Sequence, residues 1–259
     1  MSLFICSIAS GSKGNCYFIK SASAAALVDA GISGRRLKKE LSELGEAVPS
    51  NIFITHSHSD HIGGLDNEIY SGADIFCSDR NAALLSSKLL KPRGMHFHSV
   101  EGGRDFFVKD ITVCPISVSH DVQCVSYSFI SEGKKIALLT DLGYITQEII
   151  DAVSDSDLVV IESNYDENWL SENERYSIDL KKRISGKYGH LSNTQCAEAI
   201  VKLAVAGVRK FVLAHLSENN NAPELARACS LRALSEAGFG DEIELFVASQ
   251  RQRMDIIEA

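Results

Sequence analysis

The chain has 259 residues, 45% of them apolar, which suffices for a sizeable core. Its net charge of −8 argues against a generally basic surface that coats nucleic acid, since non-specific duplex affinity comes largely from Lys and Arg neutralising phosphates. The seven cysteines are odd in number and dispersed, with no Cys-x-x-Cys pair, and point to reduced thiols in a cytoplasmic protein.

In chain order, Leu3 to Ala9 lacks a basic leader and reads as a strand near 3–8 rather than a signal peptide. Further strands are expected near 16–20 and 26–29, a helix near 34–44, then strands near 51–54 and 73–77 and a helix near 79–89. Strands near 111–117, 124–130 and 135–140 precede a helix near 145–153 and a strand near 157–162. The chain continues with a helix near 193–206, a strand near 209–213, a helix near 222–237 and a strand near 243–247. Between Asn164 and Tyr188 a polar stretch with one tryptophan, Trp169, breaks this rhythm and is a candidate lid or substrate platform. No linker or repeat divides the sequence, so 1–259 reads as one domain with a candidate insertion at 164–188, and no apolar run approaches the length of a bilayer span.

The densest chemistry is Thr55-His56-Ser57-His58-Ser59-Asp60-His61, directly after the apolar run 51–54. Imidazole and carboxylate suit zinc, manganese and iron, and a second metal needs ligands offset by a few ångströms from the first. His56 and His58 can supply one metal while Asp60 and His61 supply another. A polar loop with histidines used as caps is the bland alternative, and it accounts poorly for four such residues in six positions.

This motif resembles the His-x-His-x-Asp-His signature of the metallo-β-lactamase fold superfamily. That resemblance implies an α+β fold, a four-layer αββα sandwich, and extends the ligand set to His120 in Ser117-Val118-Ser119-His120, a bridging Asp141 in Leu138-Leu139-Thr140-Asp141, and His215 in Phe211-Val212-Leu213-Ala214-His215. Ser10 to Asn15, Asp141 to Tyr144, Glu162-Ser163-Asn164, Gly189 to Asn193 and Ala214 to Asn220 look like the YycJ/WalJ-type bacterial proteins, DNA-directed phosphodiesterases that are often exonucleases. The stretch from Gly189 to Asn219 is also similar to transfer-RNA 3′-processing endonucleases. Tyr165 departs from the pattern, where His is expected.

The resemblance implies a binuclear metal-dependent hydrolase with two divalent ions per chain, zinc or manganese with iron as an option, acting on DNA, conceivably as a 5′→3′ exonuclease, through a metal-activated hydroxide. His56, His58 and His120 would hold the first metal, Asp60, His61 and His215 the second, and Asp141 would bridge. Asp60 is also the candidate acceptor of the water's proton. His190, oriented by Glu162, is the candidate proton donor, or else a structural helix-entry residue. Asp29 either fixes the tautomer of a ligand histidine or caps a turn before Gly31.

Ser12, Lys13 and Asn15 could cradle an anion or simply form a tight turn, Ser217 could contact substrate, and Asn219-Asn220-Asn221 could do so too or cap the helix near Pro223. Arg35-Arg36-Leu37-Lys38-Lys39 and Lys181-Lys182-Arg183 with Lys187 are either solvated helix faces or contacts to a nucleic acid. His96 and His98 read as surface residues. Two other functions compete: a thioesterase or lactamase-type hydrolase using the same metals, whose thiolate would leave without protonation, and a non-catalytic metal-dependent binding module.

Overall fold

The computed structural model describes residues 3–89 and 94–259. The first sheet contains β1 (Phe4–Ala9), β2 (Cys16–Lys20), β3 (Ala25–Val28), β4 (Asn51–Phe53), β5 (Asp74–Cys77) and β6 (His96–Ser99). The second contains β7 (Phe106–Val108), β8 (Ile111–Val118), β9 (Cys124–Ser131), β10 (Lys134–Leu139), β11 (Leu158–Glu162), β12 (Lys210–Ala214) and β13 (Glu244–Val247), while β14 (Ile257–Glu258) returns to the first sheet beside β1. The sheet orders are β14-β1-β2-β3-β4-β5-β6 and β13-β12-β11-β10-β9-β8-β7. In each sheet one half is antiparallel and the other parallel: β3 to β6 run parallel in the first, β10 to β13 in the second.

Alternation along the strands dictates the layering, because successive side chains of a strand point to opposite faces. Tyr17 and Ile19 of β2 face the core between the sheets, whereas Cys16 and Phe18 face outward. In β11, Leu158 and Val160 face inward and Val159 and Ile161 outward. Both faces are apolar because both are covered. Outside the first sheet lie α1 (Gly34–Glu43), α2 (Ser59–Ile62) and α3 (Asp79–Lys88), with Leu37, Leu41 and Leu85 in the outer core. Outside the second lie α4 (Gln147–Val153), α7 (Asn193–Ala206) and α8 (Pro223–Glu236), which bury Ile149, Ile200 and Leu234 against it. Two short helices, α5 (Glu167–Glu172) and α6 (Ile178–Ile184), occupy the stretch between β11 and α7. The result is the α+β sandwich of helix, sheet, sheet and helix layers.

The expected strands and long helices are all present, with ends displaced by one or two residues. Missing from the sequence reading are β6, β7, β14, α2, α5 and α6. Their patterns carry little apolar period: β6 is a largely exposed polar strand, α5 buries only Leu170 and α6 buries nothing. What starts the two short helices is capping, by Asp166 and Ser177, whose side chains accept backbone N–H bonds. The cysteines are free, five of them buried, and burial pushes the Cys6 thiol up to about 11 and that of Cys77 to about 12. Among the described residues no helix is long and apolar enough to cross a membrane.

The basic run opening α1 is partly structural. The Arg36 guanidinium donates to the Ile8 and Gln250 carbonyls at 2.9 and 2.8 Å, tying α1 to β1 and the C-terminal segment. The two loops that meet beneath the His-rich motif are stitched by backbone bonds from Asn15 N–H to the Asp60 carbonyl and from Ala30 N–H to the His61 carbonyl, both 2.7 Å. Gly31 lies in this seam, where a Cβ would stand 1.6 Å from the Asp60 carbonyl oxygen. Gly31→Ala should therefore cost about 1–3 kcal/mol or more, read as a lower urea midpoint at unchanged slope.

Candidate metal centre

The candidate residues gather at the carboxyl ends of strands. Asp29 follows β3, His56 to His61 follow β4, His120 follows β8, Asp141 follows β10, Glu162 ends β11 and His215 follows β12. Asp29, Asp141 and His215 adopt left-handed backbone, with φ of 62°, 60° and 54°. Non-glycine residues in that region cost on the order of 1 kcal/mol each and persist only where surrounding structure enforces them.

Two sets of donor atoms face inward. His56 Nε2 lies 3.0 Å from His58 Nδ1, which lies 3.4 Å from His120 Nε2. Asp60 Oδ2 lies 3.4 Å from His61 Nε2 and 3.5 Å from His215 Nε2. Asp141 Oδ2 lies 3.3 Å from His61 Nε2, and ligand atoms of Asp141, His56 and His61 fall within 4.8 Å of one another, so Asp141 stands between the sets. Ligands about 2.0–2.1 Å from one tetrahedral ion are separated by roughly 3.3–3.4 Å. The observed spacings suit that arrangement.

Each ring is anchored through its other nitrogen, which fixes the tautomer and leaves the inward atom available. His61 Nδ1 pairs with Asp29 Oδ2 at 2.7 Å, His215 Nδ1 with Glu162 Oε1 at 2.7 Å, and His120 Nδ1 with the Gly189 carbonyl at 3.2 Å. His56 Nδ1 meets Thr55 Oγ1 at 3.0 Å, and His58 Nε2 meets Asp121 Oδ1 at 3.3 Å. Asp29 thus orients His61, a candidate ligand, and Glu162 orients two residues, because its Oε1 is also 2.8 Å from His190 Nδ1.

Electrostatics differ between the sets. Burial, reinforced by neighbouring histidines, holds His56 well below the usual imidazole range; burial also lowers His58 and His120, so all three present neutral lone pairs. Burial opposes charge on His61, but Asp141 and Asp29 outweigh it and push its pKa up to about 10. His215 is raised in the same way by Asp141, Asp60 and Glu162. Asp60 is held well below the carboxylate range, since bonds from His215 and His61 overcome its burial. A carboxyl so held stays ionised, as a candidate anionic ligand must.

The residues fit a divalent cation. Asp141 Oδ2 is buried without a hydrogen-bond partner, which is expensive for a carboxylate unless a cation compensates it. The donors are imidazole and carboxylate without thiolate, since Cys124 Sγ stands 3.7 Å from His56 Nδ1, the ring's anchored side.

A cleft of about 200 Å³ opens over this cluster, bounded by Ser12, Asp60, Asp141, Tyr188, His190 and His215 among others. A larger hollow of about 800 Å³ adjoins it at His120 and Asp121 but touches none of the second donor set. Of the tentative substrate contacts only Ser12 lines the cleft. Lys13 pairs with Glu218 outside it, and Asn15 is fully buried, with Nδ2 3.0 Å from His61 Nε2 and 3.3 Å from Asp60 Oδ2. In the turn from Ser10 to Asn15 several N–H groups are taken by the protein itself: Gly11 on Asn15, Lys13 on Gln250, Gly14 on Gly11 and Asn15 on Asp60. These bonds favour the tight-turn reading. Ser217 and Asn219 line a separate groove beside Trp169. Asn221, rather than leading into α8 as a cap, bonds inward to Asn193 and the Ser163 carbonyl. Tyr165 is buried, and its backbone pairs with Ser192.

Sequence reasoning missed Thr55, whose hydroxyl touches both Asp29 oxygens at 3.0 Å, and Asn164, which donates to the His215 carbonyl at 2.7 Å. It also missed Asp121, which pairs with Arg183 of α6 as well as meeting His58. The available signal was adjacency, since Thr55 and Asp121 each flank a ligand candidate.

Because raised His61 and His215 pKa values mean that these rings carry protons at neutral pH, metal uptake at pH 7.5 should release protons. Calorimetry in buffers of different ionisation enthalpy measures this, and a buffer-independent heat would contradict the assignment. Asp29→Ala should weaken metal binding about 10- to 100-fold, read by competition with a chromophoric chelator.

Residues 25–216 match the model of the Beta-lactamase superfamily domain. The chain is 34% identical over 247 residues to Exodeoxyribonuclease WalJ of Streptococcus pneumoniae serotype 2 (strain D39 / NCTC 7466), covering 93% of this chain and 91% of that protein. It is 33% identical over 250 residues to Exodeoxyribonuclease YycJ of Bacillus anthracis, covering 93% and 92%. The metallo-beta-lactamase fold protein YhfI from Bacillus subtilis superposes over the whole of both chains with a TM-score of 0.74 at 15% identity, a likeness of fold. With its loops of clustered histidine and aspartate on that fold and its sequence shared along nearly its full length, the chain belongs to the metallo-β-lactamase superfamily, alongside the WalJ and YycJ proteins.

Proposed function

We propose that the protein is a metal-dependent phosphodiesterase, an exodeoxyribonuclease acting on DNA. His56, His58 and His120 would hold one divalent cation, Asp60, His61 and His215 a second, with Asp141 between them; zinc or manganese suits these donors. Bound there, the two cations would supply Lewis-acid stabilisation of the phosphate's developing charge and a water of lowered pKa.

The observation that carries the reading is the pair of His190 Nδ1 and Glu162 Oε1 at 2.8 Å, on a ring that lines the cleft beside Asp141 and His215. Glu162 fixes the proton on Nδ1 and leaves Nε2 as the second proton site. Burial opposes charge on His190, but the Glu162 carboxylate outweighs it and raises the pKa. A ring so placed can hold a proton on Nε2 and pass it to the alkoxide that departs from phosphorus. A thiolate would leave without such a donor, so the pair favours a diester over a thioester. The names of the WalJ and YycJ relatives support DNA as that diester.

The insertion at 164–188 serves this reading as the substrate-facing wall within a single domain of 1–259. Leu180, Arg183 and Ile184 of α6 line the cleft, and Lys182 and Lys187 are exposed on the same segment. These cations would meet the backbone of an incoming strand despite the overall charge of −8. The free cysteines support a reducing, cytoplasmic setting.

Metal-loaded protein should degrade end-labelled oligodeoxynucleotides, with no cleavage after EDTA treatment or in Asp141→Ala; the product ladder would give the polarity. Absence of metal-dependent cleavage across single- and double-stranded DNA would sink the nuclease reading. His190→Ala should lower turnover by about 10²- to 10⁴-fold with metal content unchanged. Metal loss in that variant would instead make His190 a ligand.

A further inference from the structure

The rings of the two donor sets are not held equally well. His61 and His215 rest on the buried carboxylates of Asp29 and Glu162, each at 2.7 Å. His58 Nε2 instead meets Asp121, whose Oδ1 stands 3.3 Å from it and 3.4 Å from His120 Nε2. His58 occupies the N-cap position of α2 without a capping bond from its side chain, and at 30% it is the most exposed imidazole of the two sets. A candidate ligand so loosely steered makes the first set the more adjustable one.

Asp121 stands off from His58 for a visible reason. Its other oxygen, Oδ2, accepts from Nε of Arg183, at 2.9 Å, and from Nη2 of the same guanidinium. One carboxylate thus serves a candidate ligand on one side and a cleft-lining cation of α6 on the other. The Arg183 side chain is 62% exposed, and an ion pair so open to water contributes little to stability, so another anion can displace Asp121 at small cost. Both guanidinium nitrogens converge on a single oxygen, whereas a phosphate offers two at the spacing that fits the fork. The exchange needs only rotation of the side chain. Behind α6 the loop is pinned, with the Lys187 carbonyl accepting from Ser119 Oγ at 2.7 Å and the Gly189 carbonyl 3.2 Å from His120 Nδ1.

Resting on the nuclease reading, we propose that Arg183 is a movable clamp, parked on Asp121 in the free protein and turned onto a backbone phosphate when DNA enters the cleft. The carboxylate it leaves then serves His58 alone. An unshared Asp121 makes that ring a better aligned and more basic donor, so the first set binds its cation more tightly. Affinity for the strand and affinity for the cation rise together, because coupling between two sites is reciprocal. Arg183 is a phosphate contact in this scheme, and Asp121 is a positioning residue that acts through His58.

Cobalt(II) titrated into chelator-stripped protein reads the cation by its visible absorption, and the binding step lost in His58→Ala belongs to the first set. Arg183→Ala should tighten that step about fivefold or more. The same variant should raise the Kd of a phosphorothioate deoxyoligonucleotide about tenfold. A merely structural disturbance would weaken both ligands rather than move them in opposite directions. Asp121→Asn should weaken the cobalt step about 10- to 100-fold, and adding Arg183→Ala to it should change that affinity no further. The oligonucleotide should tighten cobalt binding less in either variant than in the unsubstituted protein. Cobalt affinity unchanged or weakened in Arg183→Ala, or effects that simply add in the double variant, would overturn the clamp. The first of these results does not depend on how Asp121→Asn folds, since Arg183 is exposed on a helix that buries nothing. If DNA is still cleaved under that outcome, the nuclease reading stands alone; if the unsubstituted protein neither binds nor cleaves DNA, both fall.

Discussion

Buried negative charge met by histidine is the constraint around which this molecule is arranged. Asp29, Asp141 and Glu162 are buried, and among the described residues their ion pairs are with histidine rather than lysine or arginine. A carboxylate in a medium of low dielectric needs a compensating charge within a few ångströms. Histidine provides one that is exchangeable: a proton on the ring, or a cation at the same nitrogen once the proton has left. Fixed guanidinium partners would stabilise the apoprotein and close the site to metal. The division between neutral rings at His56, His58 and His120 and proton-holding rings at His61 and His215 follows from where those carboxylates lie.

Holding so many like-charged groups together requires stiff support, which the two sheets provide. Open sheets with parallel strands offer binding crevices at the carboxyl ends of strands, and here both sheets direct those ends to one place. Beneath it lies an aromatic floor, with Phe53 and Phe129 centroids 5.2 Å apart and Phe53 and Tyr127 5.5 Å apart. The Tyr127 hydroxyl donates across to the Ile54 carbonyl, and Val125 N–H donates to the Thr55 carbonyl, both at 3.0 Å. These bonds lock the β4 loop of one sheet to β9 of the other. Left-handed backbone at Asp29, Asp141 and His215 is the strain this scaffold absorbs where chain direction must change abruptly.

Most of the scaffold was legible because its strands are short apolar runs and its long helices carry an apolar stripe. The clustering of the candidate ligands was legible for a different reason: chemistry concentrates in few residue types, and most of the candidates follow an apolar run. Contacts set by tertiary approach left no such trace. Nothing local distinguishes Asn15, which closes on His61 and Asp60 from far away in sequence, from a substrate-binding amide. Glycines at 11 and 14 announce a turn, but which partners take the N–H groups depends on Gln250 and Asp60. Likewise α5 and α6 have no buried face to impose a period, so only their caps mark them.

Glu162 joins the two halves of the proposed chemistry. One oxygen lies 2.7 Å from His215 Nδ1 and 2.8 Å from His190 Nδ1, and the other accepts the backbone N–H groups of Leu142 and Leu191 at 3.2 Å. Leu142 follows Asp141 and Leu191 follows His190, so this carboxylate aligns a candidate ligand ring, the candidate donor and the loops of Asp141 and His190 at once. With His190 and His215 outweighing its burial, its carboxyl lies well below the usual range and stays ionised. A cation held at Nε2 of His215 would leave the Nδ1 contact to Glu162 in place, so the carboxylate would keep orienting that ring and His190 together. The same buried group thus couples the position of a candidate ligand to that of the candidate proton donor.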